Sequence, residues 1–249
     1  MILVYAIILF LATLAGGSIP LWRKNWNPSH LQYLLAFSGA FLLGITLLHL
    51  IPETITHGDN NVPILILSGF FLQLFFQRIT HGMEHGHVHL DNNHQHGSKI
   101  HLSLLLGLGV HAFSEGLPLG IPYHDESIVP TLFAAIGVHK LPEAMLIASV
   151  IFISTHHNKT KTFIYLALFA AITPISALIT YMLDNNVAQL QPIINWCIPI
   201  IAGSFLHIST TILYESGTQK HKMKAKKWMI VLLGVLLAYI TTMFTSHQH

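Results

Sequence analysis

Gly109-Val110-His111-Ala112-Phe113-Ser114-Glu115 and Gly137-Val138-His139-Lys140-Leu141-Pro142-Glu143 share the frame G-V-H-x-x-x-E at an offset of 28 residues. Each lies inside a long apolar run. In a helix, residues at i and i+4 stand one turn apart on the same face, so each copy sets an imidazole beside a carboxylate. Two such faces turned toward each other offer His111, Glu115, His139 and Glu143, a His₂Glu₂ donor set suited to a divalent metal ion.

The composition around these stretches is that of a membrane protein. Of 249 residues, 52% are hydrophobic and only 9% charged, with a mean hydropathy of +0.58. The single Cys197 leaves no disulfide framework and no CxxC motif. A net charge of +2 gives no reason to expect a nucleic-acid partner. The outlier is histidine, with 19 residues against 10 acidic ones.

A spanning helix needs about 20 mainly apolar residues. Eight stretches qualify: Ile2–Leu21, Leu31–Ile51, Val62–Phe76, Ile100–Gly120, Ser127–Ile153, Phe163–Leu183, Pro192–Tyr214 and Trp228–Phe244. The first lacks a positive n-region and reads as an uncleaved span rather than a signal peptide. Of the 12 Lys and Arg residues, Lys140 is inside a span, and the others all fall in or beside the first, third, fifth and seventh connectors. The positive-inside rule makes those connectors cytoplasmic and both termini extracytoplasmic. The fold expected is therefore an all-α integral membrane protein forming one transmembrane domain over residues 1–249. The histidine-rich connector, residues 78–99, carries His81, His85, His87, His89, His94 and His96, with His101 just beyond, and reads as a cytoplasmic metal-chelating loop.

Ionisable residues inside the bilayer cost about 2.5–3.5 kcal/mol each on insertion scales and mark function by default. Both H-x-x-x-E pairs fall at mid-depth. Ser103, Gly107, His111 and Glu115 form an i+4 stripe of small and polar residues, with Ser114 beside it. Pro118 and Pro142 free the carbonyls of Ser114 and Val138, a break tolerated where helices line a cavity. A third pair, His49 and Glu53, lies toward the outer end of the second span, and His207 and Glu215 toward the inner end of the seventh. This descending series, with Ser114 and Lys140 at its middle, suits a cation pathway in which no one site holds too tightly. Gly39-Ala40-Phe41-Leu42 is echoed by Gly203-Ser204-Phe205-Leu206 in a span of opposite direction, as expected of an inverted 3+2+3 repeat with the fourth and fifth spans at its centre.

On these features the chain resembles the ZIP (Zrt/Irt-like) family of divalent metal transporters: eight spans, a histidine-rich third connector, H-x-F-x-E-G at His111–Gly116 and H-x-x-P-E at His139–Glu143. The resemblance covers essentially the whole chain. It implies a homodimer in the plasma or bacterial inner membrane that imports Zn²⁺ or a similar ion (Fe²⁺, Mn²⁺, Co²⁺ or Cd²⁺) toward the cytoplasm. It also implies that spans one, four, five and six slide as a bundle past a scaffold. Family members commonly hold two adjacent metals. The first site maps onto His111, Glu115, His139 and Glu143, whereas the positions of the second hold Ala112, Lys140 and Thr173. The Lys140 ammonium is then expected to stand in for the second ion. Two other functions compete with transport. An intramembrane metallohydrolase would need three ligands, an open position for water and a free carboxylate as base. A metal sensor would need an output domain.

Overall fold

The computed structural model describes residues 1–22, 28–79, 97–121, 123, 128–186, 191–217 and 225–246. The described residues are helical almost throughout. They form α1 (Ile2–Trp22), α2 (Pro28–Ile45), α3 (Ile51–His57), α4 (Val62–Ile79), α5 (Gly97–Gly116), α6 (Ile128–Ser154), α7 (Lys159–Asn186), α8 (Gln191–Gly217) and α9 (Ala225–Ser246). Among the described residues, six helical runs are long and apolar enough to cross a membrane: α1, the continuous α2–α3 run, α6, α7, α8 and α9. α4 is apolar over the shorter Val62–Arg78, and α5 is 20 residues long.

Several helices outrun the apolar stretches that announce them, and at α7 a polar cap accounts for it. The Asn158 side chain accepts from the Lys161 N–H at 3.0 Å and so starts α7. Just before it, His156 and His157 take positive φ of 52° and 63° to turn the chain between α6 and α7. The second span departs most from the sequence-based expectation, running to His57 rather than ending at Ile51. One π turn, Thr46–Leu50, joins α2 to α3, with the Ile51 N–H bonded to the Thr46 carbonyl. Pro52 follows at once and cannot supply an N–H to the turn before it. The wider turn absorbs that gap and lets the helix continue. Prolines 118 and 142 behave differently from one another. Pro118 lies in a 3₁₀ turn, Leu117–Gly120, that tightens the end of α5, whereas α6 runs unbroken through Pro142.

The helices pack as two groups. In one, α1 lies against α6 and α7, and α7 lies against α5; in the other, α2 packs on α8 and α9, and α4 on α8. The pairings obey an inverted exchange in which α1, α2 and α4 correspond to α7, α8 and α9. Under it α1–α6 maps onto α7–α5, and α2–α9 onto α8–α4. The exchange fails most at one place: α2 packs along α6, while its counterpart pair, α8 and α5, barely meets. Along the α2–α6 contact an apolar core brings Phe41, Leu42, Ile45 and Leu50 together with Leu119, Ile121, Ile128, Leu132, Ala135 and Ile136. That core lies where α5 stops and α6 begins. Toward the perimeter, α1, α4 and α9 present rows of exposed Leu, Ile and Phe, as surfaces solvated by lipid do.

Glycines set the closest helix approaches. A Cβ on Gly69 of α4 would run into the Ile200 carbonyl of α8, and one on Gly203 of α8 into the Ile66 carbonyl of α4. Gly116 does the same for α5 against Thr173 and Ser176 of α7. Small residues at crossings let backbones touch, which is how helices associate where no hydrophobic effect drives them together.

Candidate metal centre

α5 and α6 bring the two H-x-x-x-E faces together. His111, Glu115, His139 and Glu143 are all 3% exposed or less, and one donor atom from each lies within 4.8 Å of the other three. The two rings sit 5.8 Å apart, nearly perpendicular at 79°. Three donor separations are defined: His111 Nε2 to Glu115 Oε1 at 3.2 Å, His111 Nε2 to Glu143 Oε1 at 3.5 Å, and His139 Nε2 to Glu115 Oε1 at 3.6 Å. A tetrahedral ion bound at about 2.0–2.1 Å would space its ligands about 3.3–3.4 Å apart. These three separations are close to what such an ion needs, and the remaining donor pairs lie within 4.8 Å.

The other carboxylate oxygens are turned elsewhere. Lys140, itself 1% exposed, places Nζ 2.5 Å from Glu115 Oε2 and 2.6 Å from Glu143 Oε2. Its contact with Glu143 is the i,i+3 pairing readable from the sequence, and its contact with Glu115 crosses from α6 to α5. The same Nζ stands 5.1 Å from the centre of the Phe169 ring of α7, a cation–π distance. A buried ammonium between two carboxylates and an aromatic face has a partner in every direction, which is the condition for a charge at this depth.

Around this core the backbone is braced. Thr173, where the resemblance calls for a glutamate, donates its hydroxyl to the Ala112 carbonyl at 2.8 Å and ties α7 to the turn carrying His111. Ser114 donates to the His111 carbonyl at 2.8 Å. Where the resemblance expects a second set of ligands, the chain presents a methyl group, an ammonium and a hydroxyl that donates to a backbone carbonyl.

The remaining sequence-derived positions lie apart from the cage. His49 is in the π turn and Glu53 just beyond it in α3, both partly exposed, so their four-residue spacing spans a helix junction rather than one α-turn. Near them, Tyr123 buries its hydroxyl, and burial together with the Glu53 carboxylate pushes the phenol well above its ordinary pKa. His207 faces α4: its Nε2 is 2.7 Å from Gln77 Oε1, and its ring meets Phe70 edge-on at 4.9 Å. One turn earlier, Ser204 donates to Gln73 Oε1 at 3.1 Å. His207 therefore belongs to a polar seam between α4 and α8. Gln73 and Gln77, spaced i,i+4 in an otherwise apolar span, were the signal for that seam, and the sequence reading passed over them. Nothing in the sequence singles out Phe169 from the other 13 phenylalanines. The backbone of α8 carries Glu215 near its end, but that side chain lies outside the described residues, as do His81, His85, His87, His89, His94 and His96.

The chain matches a known protein family over most of its length. The profile of the ZIP Zinc transporter family matches residues 1–103 and 96–242. The chain belongs to the ZIP family. Among relatives, it is similar to Zinc transporter ZIP9-A of Xenopus laevis, 26% identical over 206 residues that cover 76% of this chain and 66% of that protein. Zinc transporter ZIP9 of Micropogonias undulatus is 27% identical over 172 residues, 66% of this chain and 54% of its own. Zinc transporter YKE4 of Saccharomyces cerevisiae is 24% identical over 253 residues, covering 89% and 72%. The match to ZIP9-A takes in just under two thirds of that ZIP relative's length. All three ZIP relatives are eukaryotic and lend no support to a bacterial plasma membrane in particular.

Proposed function

We propose that this chain carries divalent metal ions, Zn²⁺ foremost, across a membrane, holding one ion at a time between His111, Glu115, His139 and Glu143. The observation that carries the proposal is the cage itself: two imidazoles and two carboxylates, all buried, with one donor atom of each within 4.8 Å of the others and three separations of 3.2, 3.5 and 3.6 Å, close to what a tetrahedral ion requires. Two imidazoles and two carboxylates also accept Fe²⁺, Mn²⁺, Co²⁺ or Cd²⁺. With no thiolate in the set, bound metal can leave again, as a carrier needs. Lys140 supplies the positive charge that a second metal supplies elsewhere in the family.

Eight spans with both ends outside are our reading of the charge pattern, and uptake toward the cytoplasm is what the family resemblance implies. The two helix groups support an elevator: α1, α5, α6 and α7 move as a bundle past α2, α4, α8 and α9, which would also form a homodimer interface. The broken exchange supports a state closed at one end, because apolar packing of α2 on α6 has no counterpart between α8 and α5. By the charge pattern the closed end is the outer one. His49 and Glu53 then stand at the outer mouth and His207 and Glu215 toward the inner one, and the histidine-rich connector collects metal on arrival. A hydrolase would need one carboxylate free as base, whereas Lys140 engages both.

Radiozinc uptake into proteoliposomes holding the full chain tests the proposal. Saturable uptake should be lost in His111→Ala. Equal saturable uptake by His111→Ala and wild type would remove this site from the pathway.

A further inference from the structure

The two oxygens of each glutamate at the centre have different neighbours. Both Oε1 atoms are turned to imidazole Nε2 atoms, at 3.2 and 3.6 Å for Glu115 and at 3.5 Å for Glu143. Both Oε2 atoms are turned to one ammonium, at 2.5 and 2.6 Å. A carboxylate can bind a metal through one oxygen or through both, and the number it uses sets how many ligands the ion receives. Bidentate binding here would require an Oε2 to leave Lys140 and rotate into the cage. The lysine is 1% exposed and stands over the Phe169 ring, so it has no solvent to turn to in exchange for the carboxylates.

We propose that Lys140 sets the coordination number of the site: by holding both Oε2 atoms it limits each glutamate to one donor oxygen. The inference rests on the His₂Glu₂ reading above and adds a selectivity mechanism to it. Two nitrogens and two single oxygens make a four-coordinate site, which suits Zn²⁺ and Co²⁺. Ions that take six or more oxygen-rich ligands, such as Mn²⁺, are disfavoured because the cage offers only four donors. Lys140 is in this sense a positioning residue. It touches the ligands and not the ion, and it acts on which ion fits as well as on total charge.

The two effects separate experimentally. Losing the lysine charge strengthens binding of every divalent ion alike, so it cancels in a ratio of affinities. A change in coordination number does not cancel. It also changes the visible spectrum of bound Co²⁺, whose ligand-field bands are intense in tetrahedral sites and weak in octahedral ones.

The experiment uses the purified full chain in detergent, titrated with Co²⁺. Bands lost in His139→Ala are assigned to the centre, which removes any contribution from the histidine-rich connector. The wild type should give intense tetrahedral bands. In Lys140→Met those bands should weaken toward the six-coordinate pattern, and the Mn²⁺ to Zn²⁺ affinity ratio should rise about tenfold, a 1.4 kcal/mol change in preference. Lys140→Gln keeps an N–H donor for one carboxylate and should fall between the two. Weak octahedral bands in the wild type overturn the inference with no variant needed, as do unchanged bands and an unchanged ratio in Lys140→Met. A wild type that binds no Co²⁺ sensitive to His139→Ala overturns instead the underlying reading of the centre.

Discussion

Lys140→Met replaces a buried ammonium by an apolar chain of similar length, and the structure fixes what should follow. With neutral imidazoles, Glu115, Glu143 and Lys140 together carry one net negative charge. Taking Lys140 away leaves two carboxylates with no counter-ion, one hydrogen-bond length from where Nζ stood. Removing one partner of a buried ion pair costs about 3–5 kcal/mol, because the other charge stays buried and uncompensated. For a chain of this size about 1 kcal/mol moves the unfolding midpoint by about 2–4 °C, so the expected drop is about 6–20 °C. A divalent ion returns the missing charge. Zinc at a hundredfold excess over its dissociation constant stabilises by about 2.7 kcal/mol, more than half of the loss. The double variant Glu115→Gln/Lys140→Met removes one of the two repelling carboxylates and should recover about 1–3 kcal/mol relative to Lys140→Met, in the range of coupling between contacting residues. Thermal unfolding of the three proteins in detergent, with chelator and then with zinc, reads all of this. If Lys140→Met in chelator unfolds with the wild type, or the double variant is no more stable than Lys140→Met, Lys140 is not the counter-ion of this pair.

Three further outcomes are expected. Thr173→Val keeps the shape of the side chain but loses the bond to the Ala112 carbonyl. Unfolding curves should show a loss of about 0.6–1.5 kcal/mol, and no loss would mean that the bond is idle. Gly203→Ala forces a methyl group against the Ile66 backbone, which cannot move aside as a side chain would. It should cost about 1–3 kcal/mol by parting α4 from α8, detectable in the same unfolding assay. Gln77→Leu and His207→Leu break one hydrogen bond from its two ends. The seam predicts that both lower stability, by about 0.6 kcal/mol or somewhat more each, and that they do so by similar amounts. If zinc flux collapses in His207→Leu while Gln77→Leu transports normally, the histidine acts on the ion and not on the seam.

Several parts of this protein were legible from local chemistry. Long apolar runs interrupted by a few polar connectors dictate membrane-length helices, because a backbone in lipid must bond to itself. The i,i+4 spacing puts His111 with Glu115, and His139 with Glu143, on single faces whatever the rest of the chain does. Lys140 could be paired with Glu143 on spacing alone. The same spacing argument weakened at His49 and Glu53, where Pro52 brings in a π turn and the α-helical count no longer applies. It was silent about His207, whose partner Gln77 is 130 positions away.

What the sequence by itself determined, then, is that His111 pairs with Glu115 and His139 with Glu143 on single helical faces, and that Ala112, Lys140 and Thr173 stand where the family resemblance expects further ligands. Only the tertiary structure decided that the faces of α5 and α6 meet, that Lys140 reaches across to Glu115, and that each carboxylate divides its oxygens between imidazole and ammonium. The physical reason is range. Helical periodicity fixes neighbours within a turn or two, through bond geometry common to every helix. Which faces meet depends on the close approaches that Gly69, Gly116 and Gly203 permit and on how the whole bundle fills its volume.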